Sequence, residues 1–185
     1  MSGLSIQGTS DGFVRSTPAA AESSLGSTVR VAKFLQLQLG TQDTTLIGVD
    51  RIVEITTINL RGILPVPQMP GYVLGVHNWR GEMLWLVDLG DLLGFPPLGY
   101  GRGSGESAMV VVLQFEEKTM GMVMSQVMDI QQYDLSQIHP RDRQLFSPQI
   151  LPFMEGFFIE EGNEISMVVD VPAIFQVPQW RSLVS

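Results

Sequence analysis

Six of the 19 acids, both histidines and one arginine are the side chains whose types and settings could do chemistry here. In pairs, Asp50, Glu54, Asp88, Asp91, Asp129 and Asp170 would supply a general acid and base or hold a hard cation. Their settings argue for a plainer role. Asp88 and Asp170 each follow an apolar run and precede a short helical signal, so helix N-capping accounts for both, and the others read as strand-edge or helix-start charges facing water. His77 and His139 lie far apart in the sequence, and neither belongs to an HxH or HxxxH spacing, so no metal or other cofactor is expected. The chain has no cysteine, which removes thiolate nucleophiles and thiolate ligands. No serine sits in a GxSxG setting, and the GRGSG run from Gly101 to Gly105 lacks the lysine and following helix of a phosphate loop. What remains is Arg80, in the tetrapeptide Asn78-Trp79-Arg80-Gly81 between two apolar runs. A turn would accept almost any polar residue there, so an arginine suggests a requirement from outside the turn.

The elements around Arg80 read as strands. GYVLGV and EMLWLVDL flank the tetrapeptide, whose Asn and Gly suit a tight hairpin with positive φ. Asp88 to Leu93 reads as one or two helical turns stopped by Gly94, with Pro96 and Pro97 beyond. Upstream, VAKFLQLQLG from Val31 alternates apolar and polar residues at period two. After the turn TQDT, LIGVDRIVEI is again largely alternating, and a hairpin of these two runs is the economical reading. Asn59 to Pro70 holds Pro65, Pro67 and Pro70 and is unsuited to a central strand. Residues 1–28 are rich in Ser, Gly, Thr and Ala, offer little to bury and read as a disordered tail.

The second half repeats the first in outline. AMVVVLQFEEKTMGMVMSQVMDI is once more strand, turn and strand. Its end, Ser125-Gln126-Val127-Met128-Asp129-Ile130, parallels Asp50-Arg51-Ile52-Val53-Glu54-Ile55. Gly156-Phe157-Phe158-Ile159-Glu160-Glu161-Gly162 and the later Val168-Val169-Asp170-Val171 parallel the stretch from Gly75 through Val87-Asp88-Leu89. Matches in the same order point to two similar small β units, each too small to bury a good core alone. The second copy makes the corresponding turn with Glu-Glu-Gly where the first has Trp-Arg-Gly, so the turn itself does not need an arginine. The methionines of KTMGMVMSQVMD read mainly as core packing.

Composition bounds the partners. In 185 residues with 44% hydrophobic and 16% charged content there is material for one sizeable domain or two subdomains sharing a core. A net charge of −8 opposes binding to nucleic acid or to an anionic membrane surface. No apolar run reaches membrane-spanning length and no signal peptide opens the chain, so no direct membrane insertion and a soluble, cytoplasmic protein are expected.

Three stretches together, GVDRIVEI, PGYVLGVHNWRGEMLWLVDLGDLLG and VVVLQFEEKTMGMVMSQVMDI, resemble the CheW family of bacterial chemotaxis coupling proteins over about Lys33 to Phe175. The N-x-R-G turn, followed by an apolar strand and Val-Asp-Leu, is the most specific element; the usual leucine of that turn is Trp79 here. The resemblance implies a mainly β fold of two packed, SH3-like, five-stranded β-barrels with short helices. It thus implies one domain over residues 29–185, with interleaved subdomains and a connecting loop near 94–107. It also implies a non-catalytic adaptor, not an enzyme, joining the cytoplasmic signalling tips of chemoreceptors to the regulatory domain of a CheA-type histidine kinase, recruited to membrane-associated receptor arrays. By the same resemblance Glu54 and Arg80 lie together at a receptor-facing groove, with Ile52 and Met109 as its apolar neighbours, and the kinase meets the second barrel. Two rival readings are a kinase-binding module of a pilus-motility pathway without receptor coupling and an enzyme using the acids near Asp88 and Asp170.

Overall fold

The computed structural model describes residues 29–39, 43–97 and 107–178. The tail expected over 1–28, the Gly101 to Gly105 run and most of the connecting loop near 94–107 lie outside the described residues.

Among the described residues, ten strands and two short helices follow one another in two matching series. The first is β1 (Val31–Leu39), β2 (Asp43–Gly48), β3 (Ile52–Asn59), β4 (Val73–Trp79), β5 (Glu82–Asp88) and α1 (Leu89–Leu93). The second is β6 (Ser107–Phe115), β7 (Lys118–Met124), β8 (Gln126–Asp134), β9 (Met154–Ile159), β10 (Ile165–Val169) and α2 (Val171–Phe175). They form two five-stranded sheets, ordered β8-β1-β2-β10-β9 and β3-β6-β7-β5-β4. Each strand of one sheet has its counterpart from the other half of the chain at the same place in the other sheet. The fold is therefore interleaved: each sheet takes two strands from one half and three from the other.

This interleaving corrects two sequence expectations. LIGVDRIVEI is not one strand paired back on β1. It breaks at a 3-10 turn over Val49–Arg51, and β3 crosses to the other sheet to pair with β6. Likewise KTMGMVMSQVMDI divides at Ser125 into β7 and β8, and β8 crosses back to pair with β1. The symmetry extends to defects: β3 carries a bulge between Ile52 and Glu54, and the β8 pairing shifts between Leu35 and Leu37, opposite the matching residues Val127 and Ile130. A bulge at one place in both copies bends the edge strand alike.

Alternation along the strands divides the core into three. In β6, Val111 and Leu113 face a cluster shared by both sheets and both helices, while Ala108, Val110 and Val112 face a second cluster belonging to β3–β7. In β1, Leu35, Leu37 and Leu39 join the shared cluster and Phe34 faces a third, aromatic one with Tyr133 and Phe158. Met120, Met122 and Met124 are buried, as core packing requires, whereas Met128 is exposed. Neither small cluster could hold a domain alone, so the shared layer joins the halves into one body.

Caps repeat as well. Asp88 Oδ1 accepts the Asp91 amide N–H at 3.1 Å and Asp170 Oδ1 accepts that of Ala173 at 2.9 Å, so both acids are the helix N-caps that their positions suggested. Gly94 closes α1 at φ 89°.

Candidate functional site

The hairpin β4–β5 turns through two residues, Arg80 and Gly81, with Trp79 facing Glu82 across it. Both loop residues have positive φ, 55° and 89°, which is the type I′ turn whose twist matches the flanking strands. Sequence reasoning put the special backbone on Asn78 and Gly81. Instead Asn78 lies within β4, one residue before its end, and accepts the Gly81 N–H through Oδ1 at 3.3 Å, leaving the left-handed position to Arg80. Asn or Gly adopts that position most easily, and a long side chain adopts it at some cost. The arginine is thus poorly suited to the backbone it occupies, which directs attention to its side chain.

Arg80 Nη2 donates to Glu54 Oε2 at 2.7 Å, and Trp79 Nε1 donates to the same oxygen at 3.0 Å. The guanidinium lies over the Trp79 ring, 4.9 Å from its centroid. The Arg80 side chain is 64% exposed and that of Glu54 30%. An ion pair this open to water contributes about 0–1 kcal/mol to folding, so its charge is free to meet something else. The Trp79–Glu54 bond does another job. β3 and β4 are the two edges of their sheet, and this bond ties them where the sheet curls round.

The four residues singled out from the sequence divide between two faces. Glu54 stands opposite Val112, and Arg80 reaches it from the turn. Ile52, opposite Leu113, packs on the shared core, and Met109, opposite Thr57, is half-buried on the same face as Val111 and Leu113. The structure brings Glu54 and Arg80 together and sets Ile52 and Met109 on the other side of the strands that carry Glu54. Exposed apolar side chains occur on the same edge strand: Val53 at the bulge, and Ile55, which stands opposite Val111 and so shares the face of Ile52 and Met109. Sequence alternation could not show these, because exposure followed from β3 being an edge. Trp79 was also missed as a functional residue, although its indole N–H, set beside an arginine and near an acid, was a readable signal of a bonded platform.

The remaining candidates are individually engaged. Asp50 pairs with Arg51 at 3.3 Å, and Asp129 Oδ1 accepts the N–H of Ile130 at 2.7 Å. His77 Nδ1 lies 3.2 Å from the Gly62 carbonyl oxygen, and His139 stacks on Phe157 with centroids 5.1 Å apart. Among the described residues no three of His, Asp and Glu converge as metal ligands, and no helix is long and apolar enough to cross a membrane. Tyr133 is strongly perturbed: burial, and then its hydrogen bond to Glu160, push its pKa up to about 12. It is therefore neutral at physiological pH and a poor proton carrier there.

Two interleaved sheets with an exposed charged platform on one seam describe a binding scaffold. A family model of the CheW-like domain matches residues 33–179, and the chain belongs to that family of non-catalytic scaffolds. Over 74 residues it is 34% identical to a probable chemotaxis protein CheW of Rhizobium etli, a match covering 38% of this chain and 45% of that relative. Its fold is similar to the crystal structure of scaffolding protein TtCheW from Thermoanaerobacter tengcongensis, with a TM-score of 0.69 and 17% identity over 84% of this chain and 100% of that one.

Proposed function

We propose that the chain couples the cytoplasmic signalling tips of chemoreceptors to the regulatory domain of a CheA-type histidine kinase, at receptor arrays on the cytoplasmic side of the membrane. The observation that carries this reading is the Glu54–Trp79–Arg80 cluster: an arginine kept at an unfavourable backbone position, largely exposed, paired with an acid on an edge strand that also exposes Val53 and Ile55. An open charge pair on an edge strand that also exposes apolar residues suits a partner that arrives by diffusion and is held by desolvation. Receptor contact is assigned to this seam, with Glu54 and Arg80 at its centre and Ile52 and Met109 supporting the strands behind them. The kinase is assigned to the second barrel, built around the aromatic cluster.

Sedimentation of the full-length protein with a kinase regulatory domain and a receptor signalling-tip fragment tests this. A ternary complex is expected. Binding to the kinase domain alone would remove receptor coupling, and binding to neither would remove the proposal.

A further inference from the structure

We infer that Trp79 is a positioning residue of this seam: it holds the Arg80 guanidinium in a single presented pose and so restricts which partner groups the arginine can accept. The inference rests on the receptor-contact reading of the same seam and adds to it the residue that orders the contact.

Three observations converge on the indole. Its ring is half-buried and packs against the aliphatic cluster of its own sheet, so it is anchored from behind. Its N–H donates to Glu54 Oε2, which fixes the ring's rotation and the carboxylate together. Its face lies under the guanidinium, whose Nη2 reaches that same oxygen. Arg80 is therefore held from below by the ring and from one side by the acid. A free arginine on a turn loses rotamer entropy when a partner captures it, and an arginine already held loses less. Among the described residues, Nη1 and Nε of Arg80 and Oε1 of Glu54 take no other hydrogen bond. They form a fixed pattern of donors beside an acceptor, which favours a partner group able to meet a planar fork.

The second half of the molecule shows that the fold does not need this platform. The residue matching Trp79 is Glu160, just past β9, which accepts a hydrogen bond from Tyr133 instead.

A double-mutant cycle on full-length protein separates positioning from general stabilisation. Binding to the receptor signalling-tip fragment is measured for wild type, W79F, W79L, R80A, W79F/R80A and W79L/R80A. W79F keeps the ring and loses the N–H, and is expected to weaken binding about fivefold. W79L loses both and should weaken it about tenfold or more. In the R80A background both losses should vanish, because there is no arginine left to position. Equal losses in both backgrounds, or no loss for W79L, would overturn the inference. If wild type does not bind the fragment, the receptor-contact reading fails by itself. The order of the Arg80 Nε–H group measured by NMR relaxation then decides the inference: order lost in W79L upholds it, and order unchanged overturns it.

Discussion

Two seams at matching places in the two halves of this molecule differ. At one, β3 and β4 meet through Trp79 and Glu54, with Arg80 outside them. At the other, Tyr133 on β8 donates to Glu160, just past β9, at 2.6 Å and accepts from Gln36 Nε2 at 2.8 Å, with the Phe158 ring 4.6 Å away. Both close a curled sheet with an aromatic donor and a glutamate. The second does so inward, with the donor buried, and the first leaves its carboxylate and an arginine facing water. Closing a sheet accounts for the features the seams share. The exposed cation is what closure leaves unexplained, and recognition is the role assigned to it.

The largest stability effect is expected where the two small clusters are filled in opposite ways. In the aliphatic cluster Leu86 packs over Gly121, where an added Cβ would come within 2.6 Å of Leu86 Cδ2 and 2.8 Å of Val110 Cγ1. The matching place in the aromatic cluster holds Leu46, fully buried opposite Val168. Gly121→Leu should overpack its cluster and lower stability by about 3 kcal/mol. Leu46→Ala should cost about as much through the cavity it leaves. Urea unfolding of both variants checks this, and a tolerated Gly121→Leu would mean that the two clusters are not separately packed.

Tyr133→Phe tests the closed seam. Losing a buried hydroxyl with partners on both sides should cost about 1–2 kcal/mol at neutral pH. The pH dependence supplies a signature. Because the folded-state pKa is raised from 10.0 to about 12, the native state holds that proton more tightly than the unfolded chain. The stabilisation is then fully present below pH 10 and is lost as pH rises toward 12. Denaturation followed across that range should show the decline in wild type and a loss of the Tyr133 part of it in Tyr133→Phe.

Smaller effects are expected where the halves agree. Asp170→Ala should cost about 1 kcal/mol as the loss of a helix N-cap. Asp88→Ala removes the matching cap from a more buried site and should cost at least as much. If neither changes the thermal midpoint, the caps are incidental.

Much of this comparison was legible in the sequence. Matches such as DRIVEI with SQVMDI, and Val87-Asp88-Leu89 with Val169-Asp170-Val171, revealed the repeat, and each acid of the second pair is indeed a cap. The exchange of β3 and β8 between sheets was not legible. Period-two alternation records which residues are buried, and a strand that crosses over buries the same residues as one that folds back. The brief turn at Val49–Arg51 has no proline or glycine inside it to mark the break. Nor could spacing show that Ile52 and Met109 face away from Glu54, since the bulge after Ile52 shifts the alternation by one residue. The repeat also concealed a difference in length. The β9–β10 connection runs over residues 160–164, whereas Arg80 and Gly81 alone join β4 to β5, so the two turns are equivalent in place and unequal in form.

The smallest expected effect on stability is the most informative one. Arg80→Ala removes an exposed side chain from an ion pair and relieves a left-handed backbone position only partly, so the thermal midpoint should move by no more than about 2–4 °C. The same variant should bind a receptor signalling-tip fragment more weakly by about 2–5 kcal/mol, because Glu54 then keeps only its bond from Trp79 and loses its cation in a desolvated contact. Titration calorimetry with wild type and Arg80→Ala, alongside their melting curves, measures both at once. The account predicts binding lost with the fold intact. Unfolding of Arg80→Ala, or a stable variant that binds as wild type does, would contradict it.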